Sequence, residues 1–384
     1  MKSTCLVLTF NHPYNATTQY ATEAVNYFSL VGYNARSFIL GGQNITDLPN
    51  HIDPSLELVI IIGTPPFDIK INDEKYLWEY FLENNIKVTS ILLDQIPYCL
   101  RISGYKKYLK DRKNYPNERM ICFEKNISEV LSQYCEKSVI YKQAYANLHH
   151  RISKDRSSRW FFWGSIDAGL GREYEESTLK KTIQKFNIWG LNELSIDNLC
   201  ESFMNTNDFF TYNTLSQHIG ISTSELFHDT SIHALCAIDS KLKTDRRIKL
   251  LTSLTDYPID VYGKGWDRYI NDSHSNLKLK TANPDLNSTF SLYCQEYSGL
   301  VNIDPNWGYG TNERVSTAIY YGLPVLTNRN YSFMGKDSIY QYTLCGSTLQ
   351  KATEKAFSSE KINFTIDKEV STSIDFFNNL FIKC

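Results

Sequence analysis

The run Leu56-Glu-Leu-Val-Ile-Ile-Ile-Gly63 limits the fold more than any other stretch of this chain. It falls well short of the roughly 18 apolar residues that a membrane span requires. It is also too uniformly apolar for a strand with one solvated face, and it ends in the turn sequence Gly63-Thr-Pro-Pro66. A strand of this kind is buried on both faces, as the strands of parallel sheets are.

Neighbouring segments supply the covering layers. Residues 5–10, 35–40, 58–62, 88–93 and 120–123 read as strands, and helical spacing of apolar residues marks 17–30 and 76–84 as helices, the first ending near Gly32. Repeated β-α-β units predict a Rossmann-like first half. Residues 144–227 are harder to place: 160–164 has strand composition, while 175–186 and 197–204 have helical character. The alternation resumes with an expected strand at 232–238, a helix at 245–254 and a strand at 259–262 closed by Gly263-Lys-Gly-Trp266. A helix at 290–297, a strand at 299–303, a helix at 313–321, a strand at 324–327 and a helix at 349–357 follow. The pattern therefore predicts an α/β chain of two Rossmann-like domains, residues 1–227 and 228–384, facing across a cleft. The final helix, 374–381, is placed to pack back across the junction.

Chemistry concentrates between Asn302 and Asn328. The strand ending at Ile303 puts Asp304 at the carboxyl edge of its sheet, where open α/β sheets bind ligands. A loop containing Gly310 follows, able to bring backbone N–H groups close to a phosphate. A helix then opens at Asn312-Glu-Arg314 and offers an anion its positive end. Glu313 suits the two hydroxyls of a ribose; its charge also suits a helix N-terminus, so simple capping is the alternative. Upstream, Arg246-Arg-Ile-Lys249 gives a basic helix, and Gly263-Lys264-Gly265 follows the next strand.

This ordered set resembles group 1 glycosyltransferases, in particular the spore maturation protein-like branch, where an Asn-Glu-Arg triplet opens such a helix. The likeness covers the chain from the basic helix onward and the N-terminal half only in architecture. It implies the GT-B fold, with a nucleotide-diphosphate sugar as substrate and no further cofactor. Residue by residue, it implies ribose binding by Glu313, diphosphate or sugar contacts from Asn312 and Arg314, and phosphate contacts from Lys264, Gly263 and Arg247. Trp307 and Tyr309 depart from the family pattern, so base and sugar selectivity do not transfer. Asp239, at the end of the expected 232–238 strand, and Lys243 are cleft-lining candidates or, as isolated residues, surface groups.

On the acceptor side, His12 follows the first strand and Asp94 the fourth, both at the carboxyl edge. Either suits a general base for deprotonating a hydroxyl, His12 through its near-neutral pKa. Equally, His12 shapes a loop before Pro13 and Asp94 turns the chain toward Pro97, and a retaining enzyme needs neither as base. The acceptor is a glycan, a protein or a small molecule. A non-catalytic two-domain binding or scaffold protein and a sugar-nucleotide epimerase are the rival readings of the same fold.

Composition excludes several classes. A formal net charge of −2 provides no global basic field, making nucleic acid an unexpected partner. The basic stretch His149-His150-Arg151, with Lys154, Arg156 and Arg159, reads as a solvated face. Nine cysteines without a Cys-x-x-Cys pair argue against a disulfide framework or zinc site and point to a reducing, cytoplasmic setting. No signal peptide is expected, because residues 3–10 are already strand-like. No Asp-x-Asp pair appears, so no metal is expected. Gly-x-Gly-x-x-Gly after the first strand, a Walker lysine loop and a Gly-x-Ser-x-Gly elbow are also missing from the sequence.

Overall fold

The computed structural model describes residues 2–11, 16–72, 74–93, 96–146, 156–166, 198, 200–203, 212–271, 273–281, 286–303, 313–328, 339–342, 348–358 and 372–381. The chain divides into two compact units. Unit 1 comprises Met1–Tyr145, Pro284–Asn287 and Ser371–Cys384, and unit 2 comprises Ala146–Asn283 and Ser288–Val370. Each is an α/β unit built on one six-stranded parallel sheet with flanking helices.

Unit 1 contains β1 (Thr4–Phe10), α1 (Ala16–Leu30), β2 (Asn34–Leu40), β3 (Leu56–Ile62), α2 (Leu77–Glu83) and β4 (Lys87–Leu92). It continues with α3 (Ile96–Leu100), α4 (Ser103–Asp111), β5 (Glu118–Cys122), α5 (Lys125–Tyr134) and β6 (Ile140–Tyr141). The strand order is β2-β1-β3-β4-β5-β6, so the direction of winding reverses between β1 and β3. The apolar run that opened the reading is β3, buried at every position but Glu57 and paired in parallel with β1 and β4.

Beneath this sheet lies a closed polar cluster. The Arg112 and Glu118 side chains are fully buried, and Arg112 Nε donates to both Glu118 oxygens at 3.1 and 3.0 Å. The other two guanidinium nitrogens donate to the Lys137 and Ser138 carbonyls, both at 3.1 Å. Lys137 Nζ meets Glu118 Oε2 at 2.9 Å, and the Tyr108 hydroxyl donates to Glu118. A carboxylate buried in this way is retained only because each lone pair finds a donor.

Glu23, on α1, is less well matched. Burial raises its pKa above the usual carboxylate value near 4.5, and hydrogen bonds with Gln19 and Tyr145 only partly offset that. A folded state that prefers the neutral carboxyl loses stability as pH rises through and above 4.5 toward the folded pKa. Glu23→Gln is therefore expected to stabilise the protein at pH 7 and to give no gain near pH 4. Denaturant midpoints at the two pH values measure this. A pH-independent difference would mean that Glu23 titrates as an ordinary exposed carboxylate.

Unit 2 begins with β7 (Trp160–Trp163). The helices α6 (Tyr212–Ile219), α7 (Thr223–Leu226) and α8 (Asp229–Thr252) precede β8 (Ile259–Tyr262) and β9 (Leu277–Lys280). After them come α9 (Leu286–Glu296), β10 (Gly299–Asn302), α10 (Glu313–Tyr320), β11 (Val325–Asn328), β12 (Ile339–Tyr342) and α11 (Thr348–Ser358). The order β12-β11-β10-β7-β8-β9 places the first strand of the unit in the middle and reverses the winding between β7 and β10. That is the strand order of dinucleotide-binding sheets. One face of β7 carries Trp160 and Phe162 into a core with Leu250, Leu251 and Leu254. The other carries Phe161 and Trp163 against Phe290, Tyr293 and Tyr297.

Two expectations change. Residues 232–238 are not a strand but part of α8, a helix of 24 residues. Ile232, Leu235, Ile238, Leu242, Arg246 and Leu250 are all buried at three- and four-residue spacing, and neither Gly nor Pro interrupts the helix. A short apolar run reads equally as strand or buried helix, and here helix length decides. Second, the boundary falls at 145/146 rather than 227/228, because residues 160–163 form the central strand of the second sheet. The last helix, α12 (Ser373–Phe381), belongs to unit 1. There Phe377 stacks on Tyr27 with ring centroids 5.4 Å apart, and Phe376 meets Tyr145 at 5.0 Å and Phe123 at 5.8 Å.

The helix expected at 175–186 lies outside the described residues. Of 197–204, residues 198 and 200–203 are helical. No helix among the described residues is long and apolar enough to cross a membrane. The seven described cysteines are all buried, without disulfides.

Candidate functional site

The carboxyl end of β7 is where strand order reverses in unit 2, the position at which open α/β sheets receive ligands. The strand runs out through Trp163 into the turn Gly164-Ser165-Ile166. This turn is held from three directions. Arg314, on the first turn of α10, donates from Nη1 to the Trp163 carbonyl at 2.6 Å. Trp266, after β8, donates its indole N–H to the Gly164 carbonyl at 2.6 Å. Arg247, on α8, donates from Nη1 to the Ser165 carbonyl.

The loop after β8 runs alongside. Gly164 N–H donates to the Tyr262 carbonyl at 2.9 Å, Lys264 N–H to Ser165 Oγ at 3.0 Å, and Ile166 N–H to the Lys264 carbonyl at 3.1 Å. Gly263 has φ +138°, and a Cβ there would lie 2.3 Å from the Gly164 carbonyl oxygen, so the two loops approach this closely only because residue 263 is glycine.

Four residues singled out from the sequence, Arg247, Gly263, Lys264 and Arg314, thus meet at one turn. Arg247 is 6% exposed, Arg314 half-buried and Lys264 exposed. Two guanidiniums reach this turn through their side chains, and Lys264 joins it through its backbone. Each arginine donates an N–H to a backbone carbonyl of the turn.

Glu313 is the first residue of α10, half-buried. Its backbone carbonyl accepts from Thr317 Oγ1 at 2.6 Å, and its carboxylate makes no hydrogen bond or ion pair with another described residue. A carboxylate in a helix's first turn is favoured by the dipole and has its lone pairs open to a ligand.

His12, Asp94, Asp304, Gly310 and Asn312 lie outside the described residues. Asp239 and Lys243 sit in the middle of α8 rather than at a strand end. Asp239 is buried, and its charge supports buried Arg246, whose pKa burial pulls down to about 10. Arg246 donates to the Phe203 carbonyl at 3.2 Å, so of the adjacent arginines one is internal and the other reaches the turn. Arg156 and Arg159 are likewise not a solvated face: Arg156 donates to the Tyr321 carbonyl at 2.9 Å, and Arg159 pairs with Asp260 at 2.5 Å.

Sequence reasoning missed Trp163, Gly164, Ser165 and Trp266. The signal was present as an aromatic strand followed at once by Gly-Ser, the strand-to-turn pattern of a first βα junction. Assigning 160–164 to the wrong half hid it.

Comparison of the sequence with protein-family profiles and with curated proteins gives no match. Among solved structures, the chain is similar to an alpha-glucosyltransferase in complex with UDP and a 13-mer DNA containing a HMU base. That likeness has TM-score 0.45 and 11% identity over 97% of this chain and 95% of that one. A second structure, of alpha-glucosyltransferase with UDP and a 13-mer DNA containing a central A:G mismatch, gives TM-score 0.47 and 8% identity over 98% and 95%. The glycosyltransferase SnogD from Streptomyces nogalater gives TM-score 0.36 and 9% identity over the full length of both chains.

Proposed function

We propose that this chain is a glycosyltransferase of the GT-B type, akin to the spore maturation-like branch, which takes its sugar from a nucleoside-diphosphate donor bound by unit 2. The observation that carries the reading is the convergence of Arg247, Lys264 and Arg314 on the turn after β7, at the reversal of a sheet with dinucleotide-binding strand order. In this reading the three cations and the Gly263 backbone hold the diphosphate, and Glu313 accepts from the ribose hydroxyls. Asp304, Gly310 and Asn312 complete the donor loop. The cations neutralise the departing diphosphate, so no metal is required. Unit 1 receives the acceptor hydroxyl, with His12 or Asp94 as base in an inverting reaction. The setting is cytoplasmic.

The test is acceptor-dependent release of nucleoside diphosphate from a panel of nucleotide sugars. The acceptors should span glycans, proteins, small molecules and DNA, the last being held in two of the structures above. Donor binding without turnover on any acceptor would favour a scaffold, and an altered sugar still joined to its nucleotide would favour an epimerase. Glu313→Ala is expected to weaken donor binding by about 1.5–3 kcal/mol, the loss of hydrogen bonds to a charged group, with the thermal midpoint unchanged. Calorimetry that finds full donor affinity in the folded variant removes Glu313 from the site.

A further inference from the structure

The Lys137 ammonium, in the loop between α5 and β6, has more oxygen around it than it has protons to donate. Its Nζ donates to the carbonyls of Arg112 at 3.2 Å, Tyr115 at 2.6 Å and Glu118 at 3.0 Å. Those three bonds use every N–H of an ammonium. A fourth oxygen, Oε2 of the fully buried Glu118 side chain, lies 2.9 Å from the same nitrogen. The backbone sets the three carbonyls in place. Arg112–Asn114 is a 3-10 turn that continues α4. Tyr115 N–H donates to the Arg112 carbonyl at 3.1 Å, and Glu118 N–H to the Tyr115 carbonyl at 3.3 Å. Two successive turns therefore line up every third carbonyl ahead of β5, and Arg112 Nε fixes the Glu118 carboxylate beside them. Each of these oxygens has an anchor other than Lys137.

We propose that residues 112–118 form a binding site for a large monovalent cation, of the size of potassium or ammonium, which this chain fills with the tethered ammonium of Lys137. A lysine that only caps a helix satisfies its last carbonyls and needs no carboxylate. Carbonyl oxygens converging on one point are instead what replaces the hydration shell of a potassium-sized ion. All but the shortest of the four distances exceed the about 2.3–2.6 Å of calcium and about 2.0–2.1 Å of magnesium ligands, so small divalent ions are a poor fit. Arg112 already balances the carboxylate charge. What the cation supplies is a partner for three carbonyls, which are costly to bury without one.

The test is Lys137→Ala in the full chain. The Lys137 side chain is 20% exposed, so its removal opens the cage to solvent. Thermal midpoints of variant and wild type are compared in the chlorides of potassium, ammonium, sodium, lithium and tetramethylammonium. Equal ionic strength holds screening constant, and wild type, its site already filled, subtracts each salt's general effect. The expected result is a variant midpoint below wild type in lithium and tetramethylammonium that rises by about 2–4 °C as potassium or ammonium is titrated, the mass-action mark of a bound ligand. Native-state hydrogen exchange should slow with potassium at the Tyr115 and Glu118 amides of the variant. A gap between variant and wild type of one size in all five salts means that water fills the cage, and overturns the proposal. A variant that stays unfolded in every salt overturns it too, since the oxygens then hold a cation only through the tether. Neither result bears on the donor site.

Discussion

Gly263→Ala is expected to weaken donor binding about a hundredfold while leaving unit 1 folded. The backbone at this position has φ +138°, which side-chain-bearing residues adopt at a cost of about 1–3 kcal/mol. Strain is the smaller part. The new methyl group would stand 2.3 Å from the Gly164 carbonyl oxygen and 2.9 Å from Ser165 N, both backbone atoms of the turn that the two arginines hold. Relief requires that turn to move, and a displacement of about 1 Å in a positioned site is enough for losses of about a hundredfold. Gly220→Ala is the control: φ is +77° there and nothing lies within 4 Å of the added carbon. Donor titration and thermal unfolding of both variants separate strain from displacement. Equal behaviour of the two would mean that the close approach of the two loops has no bearing on binding.

The second large effect belongs to stability. Glu118→Ala leaves the fully buried Arg112 guanidinium without its counter-charge and takes one partner each from Lys137 Nζ and the Tyr108 hydroxyl. Removing one member of a buried pair costs about 3–5 kcal/mol, because an uncompensated charge remains inside. A domain with a typical margin of about 5–15 kcal/mol is left close to unfolding. Urea unfolding should show a large drop in the midpoint. The double variant Glu118→Leu with Arg112→Met should recover much of it, since the stranded charge is then gone. Failure of the double variant to recover stability would show that the cluster's geometry, rather than its charge balance, supports β5 and α4.

Much of the architecture is legible in the sequence because parallel strands buried on both faces leave short, uniformly apolar runs between helical segments. Those at 5–10, 35–40, 58–62 and 259–262 lie on β1, β2, β3 and β8. What misled was local ambiguity. Ser231-Ile-His-Ala-Leu-Cys-Ala-Ile238 is apolar enough for a strand, and only its continuation to Thr252 without a breaker shows the helix. The domain boundary was hidden because the order of strands in a sheet is a tertiary property. Nothing in Trp160-Phe-Phe-Trp163 itself says that its neighbours are β8 and β10 rather than β6. In the site, charged residues near glycine were readable; Trp266 was not, since a tryptophan beside a turn reads as core until its indole N–H is seen on a carbonyl.

The return of α12 to unit 1 has a consequence for synthesis. Ribosomes build the chain in one direction, so residues through Tyr145 emerge long before Phe376 and Phe377 can cover Tyr27, Phe123 and Tyr145. At about 5–20 residues per second, the intervening chain keeps that aromatic face waiting for roughly 10–50 s. The sheet first made is thus the one completed last, and its exposed rings are a place for a chaperone, or a neighbouring nascent chain, to bind in the interval.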